Sequence, residues 1–409
     1  MAVSSVPEIG SSNTISTGRK LRSDAQSFRN IPQIVPETAK LMDLNDSFYP
    51  VMSLLGKTGR TAEVGNSSFY HMEDDQHPTY VTTAENIITN DSNQTITMSG
   101  SDGAKCREGT ILLHPATGQQ YAVVTINSAS ELVLAPNQGG SGYSTQVDSG
   151  AKLQIMAGSA DDGASAGDGI SGEPAQKLNY MQIHRTPYSI SRRAKNGRVY
   201  GPDELGRMHE KNLVQHNQEI EKALLFNMLD AGSEGSRVAQ TGGLWNWVTS
   251  LVETVSGDFT EQTFNNWVKA TKYYNQNSEP VYIFGEYICD HLNAWAADRV
   301  QTRPEDKVGG ISIKRWKAGT GGEIKFVEHG MLTTAYEAGG TWAGYGFAVN
   351  MEHLKLALYA DSRVAKHTQI GSYEKNGIDG EKWEYLTDFG VWVGPERRHG
   401  IIKGVSALT

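Results

Sequence analysis

The stretch from Pro202 to about Asp230 constrains this chain most. Leu205, Met208, Leu213, Ile220, Leu224 and Met228 form a partial apolar stripe at helical spacing, while Asn212, His216, Asn217 and Gln218 keep other faces polar. Pro202 suits a first helical position, and Asp203 and Glu204 suit the positive end of the helix dipole. At about 1.5 Å per residue such a helix spans on the order of 40 Å, longer than an ordinary globular core requires. The pattern predicts a spine against which other elements are laid.

Residues 81–158 have a different character. Thr95-Ile-Thr-Met, Thr110-Ile-Leu-Leu, Tyr121-Ala-Val-Val-Thr-Ile, Glu131-Leu-Val-Leu and Lys152-Leu-Gln-Ile-Met are strand-length runs separated by Gly, Asn, Asp and Pro. Such spacing predicts a small all-β module inserted into the chain. Flanking it, Phe69-Tyr-His-Met-Glu-Asp-Asp and the segment from Tyr180 to Ser191 are expected to pair as the strands of a long hairpin.

The first 35 residues are rich in Ser, Thr, Asn and Gly and too poor in large apolar side chains to fold alone, so they read as an extended arm. Leu41, Leu44, Phe48, Val51 and Leu54 then give a short helical stretch interrupted at Pro50. After the long helix, Asp258 and Glu261 have capping-box spacing, and Phe264, Trp267, Val268, Thr271 and Tyr274 form the inner face of a second helix. Val281-Tyr-Ile-Phe reads as a buried strand, and Ile288, Leu292 and Trp295 as the core face of a third helix. Strand patterns fill the rest, closing with Trp383 to Val393. The class is α+β.

Little in the chain points to chemistry. A formal charge of −9, from 46 acidic and 37 basic residues, is the wrong sign for gripping phosphates. Residues 1–60 carry seven basic against five acidic residues, so the surplus of acid lies beyond them. No run approaches about 18 apolar residues, and the N-terminus lacks signal-peptide blocks, so neither a membrane span nor secretion is expected. Cys106 and Cys289 lack metal or disulfide spacing. Gly56-Lys57-Thr58 lacks the upstream glycine of a phosphate loop, Val51 standing in its place. His71, Glu73, Asp75 and His77 would share one face of a strand, but no complementary ligands accompany them, and a solvated polar strand is the better reading. His209 and His216, seven apart, read as interface or surface histidines. The glycines at 139–142 and 319–322 read as turns. Trp245, Trp247, Trp342, Trp383 and Trp392 fit core and subunit interface equally well. No catalytic, cofactor-binding or metal residue is assigned.

The order of polar arm, hairpin with β module, spine helix, mixed lobe and closing strands resembles the Hong Kong 97-like fold of tailed-bacteriophage major capsid proteins. The motifs carrying it are Asn179-Tyr-Met-Gln-Ile, Glu219-Ile-Glu-Lys-Ala-Leu-Leu, Thr241-Gly-Gly-Leu, Glu384-Tyr-Leu-Thr-Asp-Phe-Gly-Val and Arg398-His-Gly-Ile-Ile-Lys-Gly. The resemblance implies an N-terminal arm at 1–55 and an extended-loop hairpin at 56–85 and 159–190 carrying a β-rich insertion domain at 86–158. A peripheral domain with the spine helix would occupy 191–242 and 344–409, and an axial domain 243–343. It implies a structural, non-enzymatic protein that self-assembles in the host bacterial cytoplasm. Its hexamers and pentamers would form an icosahedral virion head around double-stranded DNA, touched weakly and nonspecifically. A separately encoded scaffolding protein and a portal are expected partners, and a decoration protein is a further candidate. Lys57 does not align with the crosslinking lysine of some members, so no covalent crosslink is expected. An encapsulin-like nanocompartment shell remains the alternative within the structural class, and a phage glycan-binding protein the alternative outside it.

Overall fold

The computed structural model describes residues 51–408 except 53–54, 56–60, 75–76, 90–91, 138–144, 159–173, 198–202, 233–237, 297–305, 309–310, 319–321, 337–338, 361, 373–376 and 378. The expected arm, the helical pattern before Val51, Lys57 and Thr58, Asp75 and the glycines at 139–142 and 319–321 therefore lie outside the described residues. Two compact units result: the residues up to His71 together with those from Gln176 onward, and the residues Met72–Ala175.

The first unit is a mixed α+β structure built on two sheets. In one, β1 (Thr61–Val64) runs parallel to β17 (Leu354–Tyr359), which is antiparallel to the 14-residue β19 (Gly380–Val393). β10 (Gln182–Ser191) pairs with β19 from Gln182 opposite Phe389 to Ser191 opposite Gly380, and β18 (Lys366–Gly371) also pairs with β19. The second sheet has seven strands in the order β11 (Val252–Thr254), β20 (Gly400–Lys403), β16 (Gly346–Val349), β12 (Val281–Phe284), β15 (Gly322–Glu328), β14 (Ile311–Ala318) and β13 (Asp306–Val308).

The apolar run of β12 follows from burial on both faces. Ile283 enters one core with Phe347, Leu354, Phe389, Val391 and the helical residues Ile220, Leu224 and Leu225. Tyr282 and Phe284 enter the other core with Phe264, Trp267 and Val268 of α4 (Glu261–Tyr273) and Ile288 and Leu292 of α5 (Glu286–Ala296). Two short helices complete the unit: α1 (Arg192–Asn196), which follows β10 directly, and α3 (Leu244–Trp247).

The long helix, α2 (Glu204–Phe226), has 23 residues. Asp203 caps it by accepting the Gly206 N–H at 3.2 Å. It ends four residues short of the expected Asp230, because Asn227 leaves helical geometry and Asp230 instead makes backbone bonds with Gln240. Met228 accordingly stands 57% exposed, outside the apolar stripe. α4 starts later than the capping-box reading places it. Its cap is Thr260, whose side chain accepts from Thr263 N–H at 3.2 Å, and Asp258 lies before it.

The expected hairpin is also re-paired. β2 (Ser68–Glu73) pairs with β9 (Ala175–Tyr180), whereas the segment from Gln182 belongs to β19. Met181, whose N–H bonds Ser67 O at 2.8 Å, marks the change of partner.

The second unit is a six-stranded sheet in the order β3 (Tyr80–Thr82), β8 (Lys152–Ile155), β5 (Ile111–Leu113), β6 (Gln120–Ser128), β7 (Glu131–Pro136) and β4 (Gln94–Thr97). Its two edges meet: Thr83 bridges Met98, Ala84 N bonds Thr97 O at 2.9 Å and Ser99 N bonds Thr82 O at 2.8 Å. The sheet thus closes into a barrel, which removes exposed strand edges. Val81, Ile96, Leu112, Tyr121, Val123, Leu132, Leu134 and Leu153 alternate inward and fill it. The buried Tyr121 hydroxyl donates to Gln119 Oε1 at 3.0 Å.

Candidate functional site

Four of the motifs that carry the family resemblance meet at one buried junction of the first unit. Asn179, at 2% exposure, projects from β9 and uses both ends of its amide. Its Nδ2 donates to Gly242 O at 3.1 Å and to Val391 O at 2.6 Å. Its Oδ1 accepts from Tyr180 N at 2.8 Å, Gly242 N at 2.9 Å and Thr241 Oγ1 at 3.3 Å. Thr241 Oγ1 in turn accepts the Val391 N–H at 2.9 Å. Nearby, Gln182 Oε1 accepts from Asn227 Nδ2 at 2.8 Å and Thr241 N at 3.3 Å. The network joins β9, β10, the end of α2, the loop at Thr241 and the closing strand β19.

Two glycines make the approach possible. A Cβ on Gly243 would sit 2.4 Å from Ala223 O and 2.8 Å from Leu224 O, so the loop can cross the last turn of α2 only without a side chain. A Cβ on Gly390 would meet Phe69 Cε1 at 2.5 Å and Met181 Sδ at 2.9 Å. The glycine on β19 is thus the seat for Phe69 of β2.

One turn and a half before its end, α2 carries Glu221 into the core. Its carboxylate accepts the backbone N–H groups of Val51 at 2.8 Å and Met52 at 2.7 Å and the His329 Nε2–H at 3.0 Å. These bonds replace the water that a buried carboxylate otherwise loses. The sequence motif contains Glu221 but nothing local names its partners. The signal was its position between the apolar Ile220 and Leu224 on a face otherwise given to the core.

The expectation of interface or surface histidines on α2 is corrected for His216. His216 is fully buried, bonded at Nδ1 to Thr186 Oγ1 and at Nε2 to Thr387 Oγ1, each at 2.8 Å. Its ring stacks on His184 with centroids 4.5 Å apart, and His184 pairs with Glu219 at 2.9 Å. Burial and the neighbouring His184 push His216 down to about 4. His209 packs between Tyr188, His367 and Trp383, and burial lowers both His209 and His367. A helix laid on a two-residue-period sheet buries residues that its own polarity leaves outside.

The remaining sequence candidates are dispersed. His71 packs edge-on against Trp392 with centroids 5.5 Å apart. Trp245 stacks on Tyr345, Trp342 on Phe226 and Trp383 on His367, while Trp247 donates to Gly242 O at 3.1 Å. All five tryptophans singled out in the sequence thus make contacts within the subunit. Cys106 and Cys289 are buried, which pushes their thiols up to about 11 and about 12.

Compared with known proteins, residues 27–406 match the family model described as SU10 major capsid protein. None of the curated proteins compared matches the chain. Among solved structures, the capsid of a native GTA particle is similar at TM-score 0.45 and 8% identity, over 96% of this chain and 100% of that one. A Mycobacterium phage Cain structure is similar at TM-score 0.44 and 10% identity, over 95% and 100%. The holo-SrpI encapsulin complex of Synechococcus elongatus is similar at TM-score 0.42 and 10% identity, over 58% and 79%.

Proposed function

Because this chain belongs to the SU10 major capsid protein family, we propose that the junction at Asn179 is the frame on which each subunit carries its shell-building parts. The chain is the major capsid protein of a tailed-phage head, a structural component of the virion and not an enzyme. The finer reading is a Hong Kong 97-like subunit: an arm at 1–55, an extended loop whose described strands are β2 and β9, the barrel of β3 to β8 as its insertion, a peripheral domain from β10 to 242 and at 344–409, and an axial domain at 243–343. Such subunits close as hexamers and pentamers into an icosahedral shell around double-stranded DNA, with a separate scaffolding protein and a portal as partners.

The observation that carries this reading is the convergence of Asn179, Thr241, Gly242 and Val391, residues up to 212 positions apart, in one hydrogen-bonded node. A shell subunit has to hold its strands in register under load, and a buried, hydrogen-bonded polar node fixes β9 against β19 better than apolar packing alone. Electron microscopy of the chain expressed alone and with its neighbouring phage genes tests it. Closed shells or hexamer-sized rings are expected, and a reconstruction of them assigns the subdomains. A protein that stays monomeric with its scaffolding partner supplied would overturn the assembly reading.

A further inference from the structure

The charge of this chain is unevenly spread. Between Met72 and Ala175 there are thirteen carboxylates and three cations, so this unit alone carries −10 when the whole chain carries −9. Two of the cations are engaged within it: Lys105 pairs with Asp102 at 2.5 Å, and Lys152 lies over the Tyr80 ring at 4.8 Å.

The barrel also breaks the alternation expected of a closed sheet, in which inward residues are apolar and outward ones polar. Register places Ile111 opposite Ala122 and Ala122 opposite Ala135, and Met156 N bonds Ile111 O at 2.8 Å. These residues have the outward parity, since Leu112, Tyr121, Val123 and Leu134 between them are fully buried. Four adjacent strands therefore present one apolar row to the outside. Val133, paired with Thr125, and Val124, the extra residue of the bulge between Val123 and Thr125, extend it on β6 and β7, with Val124 42% and Met156 45% exposed. Glu131, of the same parity as Val133, and the exposed Glu108, next to Gly109 whose N–H bonds Val123 O at 2.8 Å, put carboxylates at the rim of the row, where the exposed Arg107 is the neighbouring cation.

We propose that this face of the barrel is the docking site for a separate protein of the particle whose contact surface is apolar at its centre and basic at its rim. An apolar row across four strands supplies the desolvated centre of an interface, and the acidic surroundings select the sign of the partner's charge. The same surplus of ten negative charges repels a second copy of the barrel and repels nucleic acid. The proposal draws on the capsid assignment only for the particle in which the partner is sought.

The test uses assembled phage particles in which Val124 is replaced by the photocrosslinking residue p-benzoylphenylalanine, with Thr82 on the outward side of β3, across the barrel from β6, as the control position. Irradiation is expected to join position 124, and not position 82, to a different particle protein, with crosslinked peptides rich in Lys and Arg. The yield should fall at least tenfold in 0.5 M salt and in a Met156→Glu background that still forms particles. A crosslink between two copies of this chain, equal yields at both positions, or an acidic, salt-insensitive partner would overturn the proposal. Loss of particles in the unmodified chain would instead count against the assembly reading.

Discussion

His329 Nε2 lies 3.0 Å from Glu221 Oε1, and neither side chain has any solvent exposure. Met331 N–H donates to His329 Nδ1 at 3.2 Å, so the proton sits on Nε2 and points at the carboxylate. Glu221 thereby collects three donors, two of them the backbone of Val51 and Met52. One side chain on the long helix ties down the first described residues of the chain.

Glu221→Ala strands all three donors in the core. A loss of about 3–5 kcal/mol is expected in urea unfolding of the unassembled subunit. His329→Phe should cost less, because it removes one donor and leaves two. A Glu221→Ala loss below about 1 kcal/mol would mean that the carboxylate holds nothing.

Acid should weaken the subunit through its buried imidazoles. Burial holds His216 down at about 4 and the fully buried His399 at about 3, against an ordinary value of 6.5. Below pH 6.5 the unfolded chain binds protons that the folded chain refuses, so stability is complete above that pH and declines as pH falls toward 4 and then 3. The loss is roughly 3 kcal/mol per histidine by pH 4. Urea midpoints measured from pH 7 to pH 4 check this, and His216→Gln should flatten the slope. An unchanged slope in that variant would remove His216 from the account.

At the buried junction, Asn179→Asp keeps the acceptor and replaces the donor that serves Gly242 O and Val391 O with a second acceptor. Carboxylate against carbonyl is expected to cost about 3 kcal/mol and to lower the yield of assembled particles. Gly243→Ala, which drives a Cβ into Ala223 O, should cost about 1–3 kcal/mol. Thermal unfolding of both variants decides whether the junction is as tight as its distances imply.

The barrel of Met72–Ala175 has its own core and paired edges. Expressed as a fragment it should unfold in one cooperative transition, with Leu134→Ala lowering its stability by about 2–5 kcal/mol. A fragment without cooperative unfolding would show that the rest of the chain is needed to close it.

Local pattern made several elements readable in advance. The stripe from Leu205 to Leu224 gave the long helix, the β-branched runs between turns gave strands at 94–97, 111–113, 120–128, 131–136 and 152–155, and the motif order gave the family. Each of these rests on neighbours within a few residues, where side-chain period alone fixes geometry.

What tertiary structure alone decided is who faces whom. The segment from Gln182 has the same strand pattern whether it pairs with residues 69–75 or with β19, and only burial of Thr186, Tyr188 and Ile190 beneath α2 selects β19. His216 reads as polar surface until Thr186 and Thr387 arrive on either side of it, and Asn179 as an ordinary amide until Gly242 and Val391 do. Alternation says which residues share a face and is silent on which distant face covers them. That choice belongs to the whole chain, because each buried polar group must find its partner across a hundred or more residues before its desolvation is repaid.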